Sequence, residues 1–228
     1  TFEIDERVGA DGSVLTPLDG ASLAALAAEL VADGTTTAAV SFMHAWAHPE
    51  HERAARKVLL EAGFEHVTCS SDISGVARIV PRARTTVINA YLAGPVGRFL
   101  DGIRTHVPAG SIHVMSSAGG LQPEDSFEPK DSLLSGPAGG VHGAVAIGSQ
   151  RGETSIITFD MGGTSTDVAR CQGEIEYRDR WRINEHEIDS TAVHIETVAA
   201  GGGSIVDFDG EEIIVGPASA GARPGPAC

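Results

Sequence analysis

The sequence predicts an α/β fold, and three features carry that reading. Strand-like and helix-like runs alternate through the N-terminal third of the chain. A β-rich stretch from Ser155 to Tyr177 folds back on itself around Gly162-Gly163. Pairs of glycines stand at strand ends, at Gly119-Gly120 and again at Gly162-Gly163, where a backbone can approach a ligand or a neighbouring chain closely.

The elements follow in order. Phe2 to Val8 and Val14 to Leu15 flank Gly9-Ala-Asp-Gly12, a hairpin signal, and leucines and alanines then recur at helical spacing from Ser22 to Ala32. Thr35 to Met43 is a predicted strand. Pro49 opens a helix that runs through Leu60 and stops at Gly63, and His66 to Ser70 is the next strand. His44, His48 and His51 have the spacing of one helix face, which invites a metal reading. Pro49 argues against it by placing the helix start between them, so capping and packing are the expected roles. Residues 72 to 81 read as irregular. Arg82 to Val107 is a long helical stretch that Gly94-Pro95 is expected to kink or break.

Ser111 to Ser116 alternates as a strand and ends at Ser117-Ala-Gly-Gly120. Ser135, as N-cap, and Pro137 in the first turn open a helix of small residues up to Ile147. Close packing against a neighbour and an anion at the helix N-terminus both account for that composition. Asn184 to Ser190 is polar and without a clear pattern. Val193 to Val198 is a strand, Ala199-Ala-Gly-Gly-Gly-Ser204 a flexible turn, and Ile205 to Phe208 pairs with Glu211 to Val215 across Asp209-Gly210. The triple glycine suits either close approach of a ligand or another domain, or a plain loop.

The central stretch carries the chemistry. Ser155 to Phe159 reads as a buried strand that delivers Asp160 to its end. Gly162 and Gly163 allow positive φ and outward N–H groups, and Thr164, Ser165 and Thr166 add three hydroxyls, with Asp167 on the far side. A Walker loop needs a Lys-Ser/Thr pair opening a helix, and a dinucleotide loop needs its third glycine at a helix start; this stretch has neither. An acid on each side of a Gly-Gly-hydroxyl tip suits a phosphate whose charge is shared with a divalent ion. The competing reading is a tight hairpin closed by Asx and Ser/Thr turn bonds.

The 228 residues, 42% of them hydrophobic, suffice for one large or two modest domains. A net charge of −15 without an acidic tail disfavours nucleic acid and anionic membranes as partners. Cys69, Cys171 and Cys228 form no Cys-x-x-Cys pair, so a disulfide framework or thiolate zinc site is not expected and a reducing compartment is. No apolar run reaches the roughly 18 residues of a spanning helix, and the chain begins with nothing like a signal peptide; the expected location is the cytoplasm. The start without Met and the end inside Pro224-Gly-Pro-Ala-Cys228 read as an internal fragment of a longer protein.

With these motifs placed, the chain resembles the hydantoinase A/oxoprolinase family, ATP-dependent enzymes of the sugar kinase, Hsp70 and actin superfamily. The carriers are Thr85-Thr-Val-Ile-Asn-Ala-Tyr91, Leu134-Ser-Gly-Pro-Ala-Gly-Gly140, Phe159-Asp-Met-Gly-Gly-Thr-Ser-Thr-Asp-Val168, Ala200-Gly-Gly-Gly-Ser-Ile205, Val215-Gly-Pro-Ala-Ser-Ala-Gly221 and the final Pro224 to Cys228. The resemblance implies an actin/Hsp70-like ATPase lobe with a β-hairpin phosphate loop over residues 81–228, preceded by a smaller α/β segment over 1–80. It implies ATP and Mg²⁺ as cofactors, with Asp160 and Asp167 catalytic and Asp160 on the metal. Gly162, Gly163, Thr164, Ser165, Thr166, Gly201, Gly202 and Gly203 would line the nucleotide.

The implied activity is the opening of a cyclic amide, of the hydantoin or 5-oxoproline type, by phosphorylation of its carbonyl oxygen, with a hydantoinase B-type subunit or domain as partner. Its rivals are the ATP-binding subunit of a ketone carboxylase and a non-catalytic nucleotide sensor. Two departures stand out. Members of the family tend to carry an acid followed two residues later by a base before the glycine triplet, where this chain has His194-Ile-Glu196, and Ala199 replaces a usual glycine. The first phosphate loop of the family has no counterpart in residues 1–228, so the fragment alone is expected to be inactive.

Overall fold

In the computed structural model, residues 1–107, 110–183, 185–223 and Gly225 are described. The elements are β1 (Arg7–Val8), β2 (Val14–Thr16), α1 (Gly20–Ala32), β3 (Thr37–Val40), α2 (Glu50–Ala62), β4 (His66–Cys69), α3 (Ser70–Ile73) and α4 (Ile79–His106). They continue with β5 (His113–Met115), β6 (Leu121–Pro123), α5 (Ser135–Gln150), β7 (Ser155–Met161), β8 (Thr166–Gln172), β9 (Glu174–Ile175) and β10 (Tyr177–Ile183). The last are β11 (His186–Val193), β12 (Glu196–Val198), β13 (Ser204–Phe208) and β14 (Ile213–Ser219). The α/β expectation holds.

Contacts divide the chain into two compact units. The first is Thr1–Val114, Gln122–Leu133 and Asp179–Thr191; the second is Met115–Leu121, Leu134–Arg178 and Ala192–Cys228. This division by packing falls elsewhere than residue 80, because α4 lies against β3 and β4 and so stays with the first unit.

In the first unit β3 and β4 run parallel, from Thr37 opposite His66 to Val40 opposite Cys69. Leu23 and Ala27 of α1 and Ala55 and Leu59 of α2 meet Val40, Phe64 and Cys69 in one buried cluster. The helix boundaries follow capping chemistry. Asp19 accepts the Ser22 N–H at 3.0 Å, starting α1 two residues before the periodic pattern does. Gly63 ends α2 at φ 113°, a left-handed conformation that glycine adopts without strain. The 72–81 segment is more ordered than its composition suggests, since α3 ends at Ile73 and α4 begins at Ile79. The assigned helix α4 also runs through Pro95 without a break: Tyr91, Pro95 and Phe99 share its exposed face, where a carbonyl deprived of its N–H partner can turn to water.

Around this core lies a buried polar network. Glu52 is fully buried, and its carboxylate accepts the Phe42 N–H at 2.8 Å, the Ser70 hydroxyl at 2.6 Å and the Ser71 N–H at 2.8 Å. Ser70 in turn accepts from Arg82 Nε at 2.9 Å, and the rest of the buried guanidinium donates to the carbonyls of Val76, Ala77 and Phe42. Burial pulls the Arg82 guanidinium below its ordinary pKa, and the charge of Glu52 opposes that shift. A carboxylate and a guanidinium are thereby both satisfied inside the protein, bridged by one hydroxyl.

In the second unit the sheet order is β12-β8-β7, all antiparallel, with β9 hydrogen-bonded to β8. Helix α5 covers one face, where Ala138 and Val141 pack with Ala169, Cys171 and Val193. The other face is open. Strand β7 is therefore not buried as the sequence suggests: Ile156 and Thr158 are half-buried on the α5 side, while Ile157 and Phe159 are 73% and 67% exposed. Its hydrophobic run lacks the strict alternation that would have announced two different faces. The small residues of α5 have a packing reason in one place, since a Cβ at Gly148 would fall 2.4 Å from Ile156 Cδ1. Leu134, and not Ser135, occupies the N-cap position of α5, and the Leu134 N–H donates to Ser117 Oγ at 3.0 Å.

The buried carboxylate gives a direct test. Glu52→Gln places an amide donor among three groups that all donate, and is expected to destabilise the chain by about 3 kcal/mol in urea unfolding. A loss below about 1 kcal/mol would mean that the network contributes little.

Candidate functional site

Strands β7 and β8 pair residue for residue from Ser155 opposite Gln172 to Met161 opposite Thr166, so Asp160 stands directly across from Asp167. Strand β12 continues the row, with Thr197 opposite Asp167. Period-two alternation puts this row on the same sheet face as Ile156 and Thr158, the face under α5. A cavity of about 390 Å³ lies beside this row along the β7 edge, lined by Pro137, Gly140, Val141 and Ala144 of α5, by Ile157, Thr158, Phe159 and Asp160 of β7, and by Asp167 and Ile195. Like charges directly opposite in an antiparallel pair are unfavourable unless something offsets them. Thr197 Oγ1 donates to Asp167 at 2.6 Å, whereas Asp160 is exposed and has no side-chain partner among the described residues.

The tip between these strands is four residues long. Gly162 N–H donates to Ser165 O at 2.9 Å and closes it. The N–H groups of Gly163, Thr164 and Ser165 and the hydroxyls of Thr164 and Ser165 have no acceptor among the described residues. Three consecutive N–H groups at an exposed turn are donors left open to solvent or a ligand.

Two expectations about the tip change. Neither Gly162 nor Gly163 adopts positive φ, so left-handed geometry is not why glycine stands there. At Gly163 the space a Cβ would enter is empty, and at Gly162 the nearest neighbour is Ser165 O at 3.5 Å. The second concerns Thr166. It is buried, and its hydroxyl donates to Ala200 O at 2.6 Å, so it fastens the tip from behind and does not face outward with Thr164 and Ser165.

The glycine triplet lies against this same tip. Gly202 N–H donates to Gly162 O at 2.9 Å and Gly203 N–H to Gly163 O at 2.7 Å. A Cβ on Gly201 would sit 2.7 Å from Gly162 O, Gly163 C and Thr164 N at once. The structure thus brings Gly201 to Gly203 together with Gly162 to Thr166, backbone on backbone. The N–H groups of Gly202 and Gly203 are occupied in holding the tip.

His194 and Glu196 belong elsewhere. The run read as one strand, Val193 to Val198, breaks between β11 and β12, and the polar segment before it is largely strand β11; Asn184 lies outside the described residues. His194 Nδ1 faces Glu176 at 3.4 Å and Nε2 faces Glu196 at 3.0 Å, Arg178 contacts both His194 and Glu196, and Arg170 pairs with Glu176 at 2.9 Å. This is a charge network across neighbouring strands. The Arg170 hydrogen bond and charge hold the Glu176 carboxyl below the usual carboxylate range.

The histidines of the N-terminal region find separate partners: His44 with Val8 O at 2.9 Å, His48 with Ala10 O at 3.4 Å, and His51 with Glu6 at 2.7 Å. Among the described residues no group of three or more His, Cys, Asp or Glu is placed to hold a metal. Cys69 and Cys171 are buried and free, and burial pushes the Cys69 thiol up to about 12. No described helix is long and apolar enough to cross a membrane. The sequence reading missed Thr197. Its role depends on pairing with a strand some thirty residues away, for which the local pattern carries no signal.

Comparison with known proteins places this geometry. The family model described as Hydantoinase/oxoprolinase matches residues 82–228, and the one described as Hydantoinase/oxoprolinase N-terminal region matches residues 1–63. The 5-oxoprolinase 1 of Arabidopsis thaliana is 41% identical over 220 residues, which cover 94% of this chain and 17% of that protein. The caprolactamase subunit alpha of Pseudomonas jessenii is 32% identical over 99% of this chain and 34% of its own length. A crystal structure of the ATP-dependent caprolactamase superposes with a TM-score of 0.80. A nucleotide-free structure of acetone carboxylase superposes with a TM-score of 0.82 at 30% identity, covering 96% of this chain and 33% of that one. The chain thus spans between about a sixth and a third of the length of these relatives. With most of its residues inside the family model and its first 63 inside the model of the family's N-terminal region, the chain belongs to the hydantoinase/oxoprolinase family.

Proposed function

We propose that this chain supplies the phosphate- and metal-holding part of an ATP-dependent hydrolase that opens a cyclic amide by phosphorylating its carbonyl oxygen. The observation that carries the reading is the tip: three consecutive N–H groups and two hydroxyls without acceptors among the described residues, beside a carboxylate without a side-chain partner among them. The names of the relatives, 5-oxoprolinase and caprolactamase, supply the substrate class.

The donor set fits the cofactors. Mg²⁺ is bound through one or two carboxylates together with phosphate oxygens and water, and Asp160 and Asp167 stand side by side on one sheet face. Asp160 is the principal metal residue, and Asp167 supports it from the opposite strand. The N–H groups of Gly163, Thr164 and Ser165 take phosphate oxygens at the open side of the tip, which a side chain on Gly163 would fill. Gly201, Gly202 and Gly203 serve the nucleotide by fixing that tip. ATP supplies a phosphoryl group that turns the amide oxygen into a leaving group; the chain holds phosphate and charge in place while this happens.

A ketone carboxylase is the second reading, favoured by the acetone carboxylase superposition. ATP-dependent opening of 5-oxoproline, hydantoin or caprolactam, measured against carboxylation of acetone in the full-length protein with a hydantoinase B-type partner, separates the two. The partner and a cytoplasmic location belong to the same proposal.

Asp160→Asn in the full-length enzyme is expected to lower ATP turnover by about 10²-fold or more at saturating Mg²⁺ with the melting temperature unchanged. Turnover equal to wild type would remove Asp160 from the site.

The two kinds of glycine are expected to differ. Gly163→Val has room and no φ penalty, so it should melt like wild type while nucleotide affinity in calorimetry falls at least tenfold. Gly201→Ala forces the tip to move and should lower both. Intact affinity in a folded Gly163→Val protein would place the phosphate elsewhere.

A further inference from the structure

We propose that Thr197 is a positioning residue for the carboxylate pair: its hydroxyl holds Asp167 so that Asp160 and Asp167 present one fixed, asymmetric arrangement to a divalent cation. The inference rests on the proposal that the two carboxylates hold a metal, and adds a residue to it.

The geometry is the argument. Thr197, Asp167 and Asp160 occupy one row across β12, β8 and β7, with Asp167 in the middle. The Thr197 bond reaches one oxygen of Asp167, Oδ1, at 2.6 Å, the length of a charge-assisted hydroxyl-to-carboxylate bond. That leaves Oδ2 without a partner among the described residues. On the other side, Asp160 has no side-chain partner among them.

The bond has no obvious purpose in stabilising the fold. Thr197 is exposed and Asp167 only half-buried, so water could satisfy both if they were apart. What the bond does is select one orientation of the middle carboxylate against its like-charged neighbour. A carboxylate free to rotate away from Asp160 would relieve the repulsion and lose the shared cation position. Partners that orient metal-holding groups in this way typically affect metal affinity by 10- to 100-fold. Thr166, the next hydroxyl along, differs in kind: it is buried and donates to a backbone carbonyl.

The test is Mn²⁺ binding to the full-length protein in the presence of ADP, followed by the electron paramagnetic resonance signal of free Mn²⁺. Thr197→Val keeps the β-branched shape and removes the hydroxyl; it is expected to weaken Mn²⁺ binding about tenfold with the melting temperature unchanged. Thr197→Ser restores the hydroxyl and should bind within about twofold of wild type. In an Asp167→Asn background the valine substitution should have no further effect. Wild-type affinity in Thr197→Val, or equal losses in the valine and serine variants, would overturn the positioning role while leaving the carboxylates in place. Wild-type affinity in Asp160→Asn would instead remove the metal site, and this inference with it.

Discussion

Two backbone hydrogen bonds, from Gly202 N–H to Gly162 O and from Gly203 N–H to Gly163 O, hold the tip of the β7–β8 hairpin in its shape. They form only because Gly201 has no side chain: any Cβ there would strike three backbone atoms of the tip. The shape of the tip depends on this contact. It occupies the carbonyls of Gly162 and Gly163, leaves the N–H groups of Gly163, Thr164 and Ser165 without an acceptor among the described residues, and is reinforced by the buried Thr166 hydroxyl. A four-residue turn in water is otherwise a poor scaffold, since its conformational entropy resists a single arrangement. Here a second loop supplies the rigidity that the turn lacks.

The two units solve the problem of polar groups differently. In the first, Glu52 and Arg82 are both buried and meet through Ser70, every oxygen and nitrogen of that link directed at a backbone or hydroxyl partner. Such a network fixes one arrangement of the core because half of it cannot be satisfied alone. In the second unit the charged groups lie at the surface. Arg170, Glu176, His194, Glu196 and Arg178 pair across strands there, where solvent screening leaves each pair little influence on stability.

Much of this was legible in the residues. The α/β alternation, the hairpin around Gly162-Gly163 and the family follow from patterns that are local: Gly63 after a helical run, Asp160 and Asp167 bracketing a glycine pair, a triple glycine before a β-ribbon. What the sequence could not supply was register. That Asp160, Asp167 and Thr197 form a row, and that the triplet lies on the tip, are facts of non-local pairing. The positive φ expected at Gly162 and Gly163 was a local inference that the backbone does not bear out, and the absence of a side chain is required instead at Gly201, where the second loop meets the tip. The face of β7 failed for a related reason: Ile156, Ile157 and Phe159 are all apolar, so composition alone cannot tell the residue beneath α5 from the ones open to water.

That open face has a practical side. Strand β7 is the last in its sheet order among the described residues, and Ile157, Phe159 and Met161 are exposed along it. An unpaired strand edge joined to a row of exposed apolar side chains is the combination from which chains stack into insoluble assemblies. The β13–β14 ribbon shares this character, with Val206, Phe208 and Ile213 exposed, so the net charge of −15 is what stands against association at both edges.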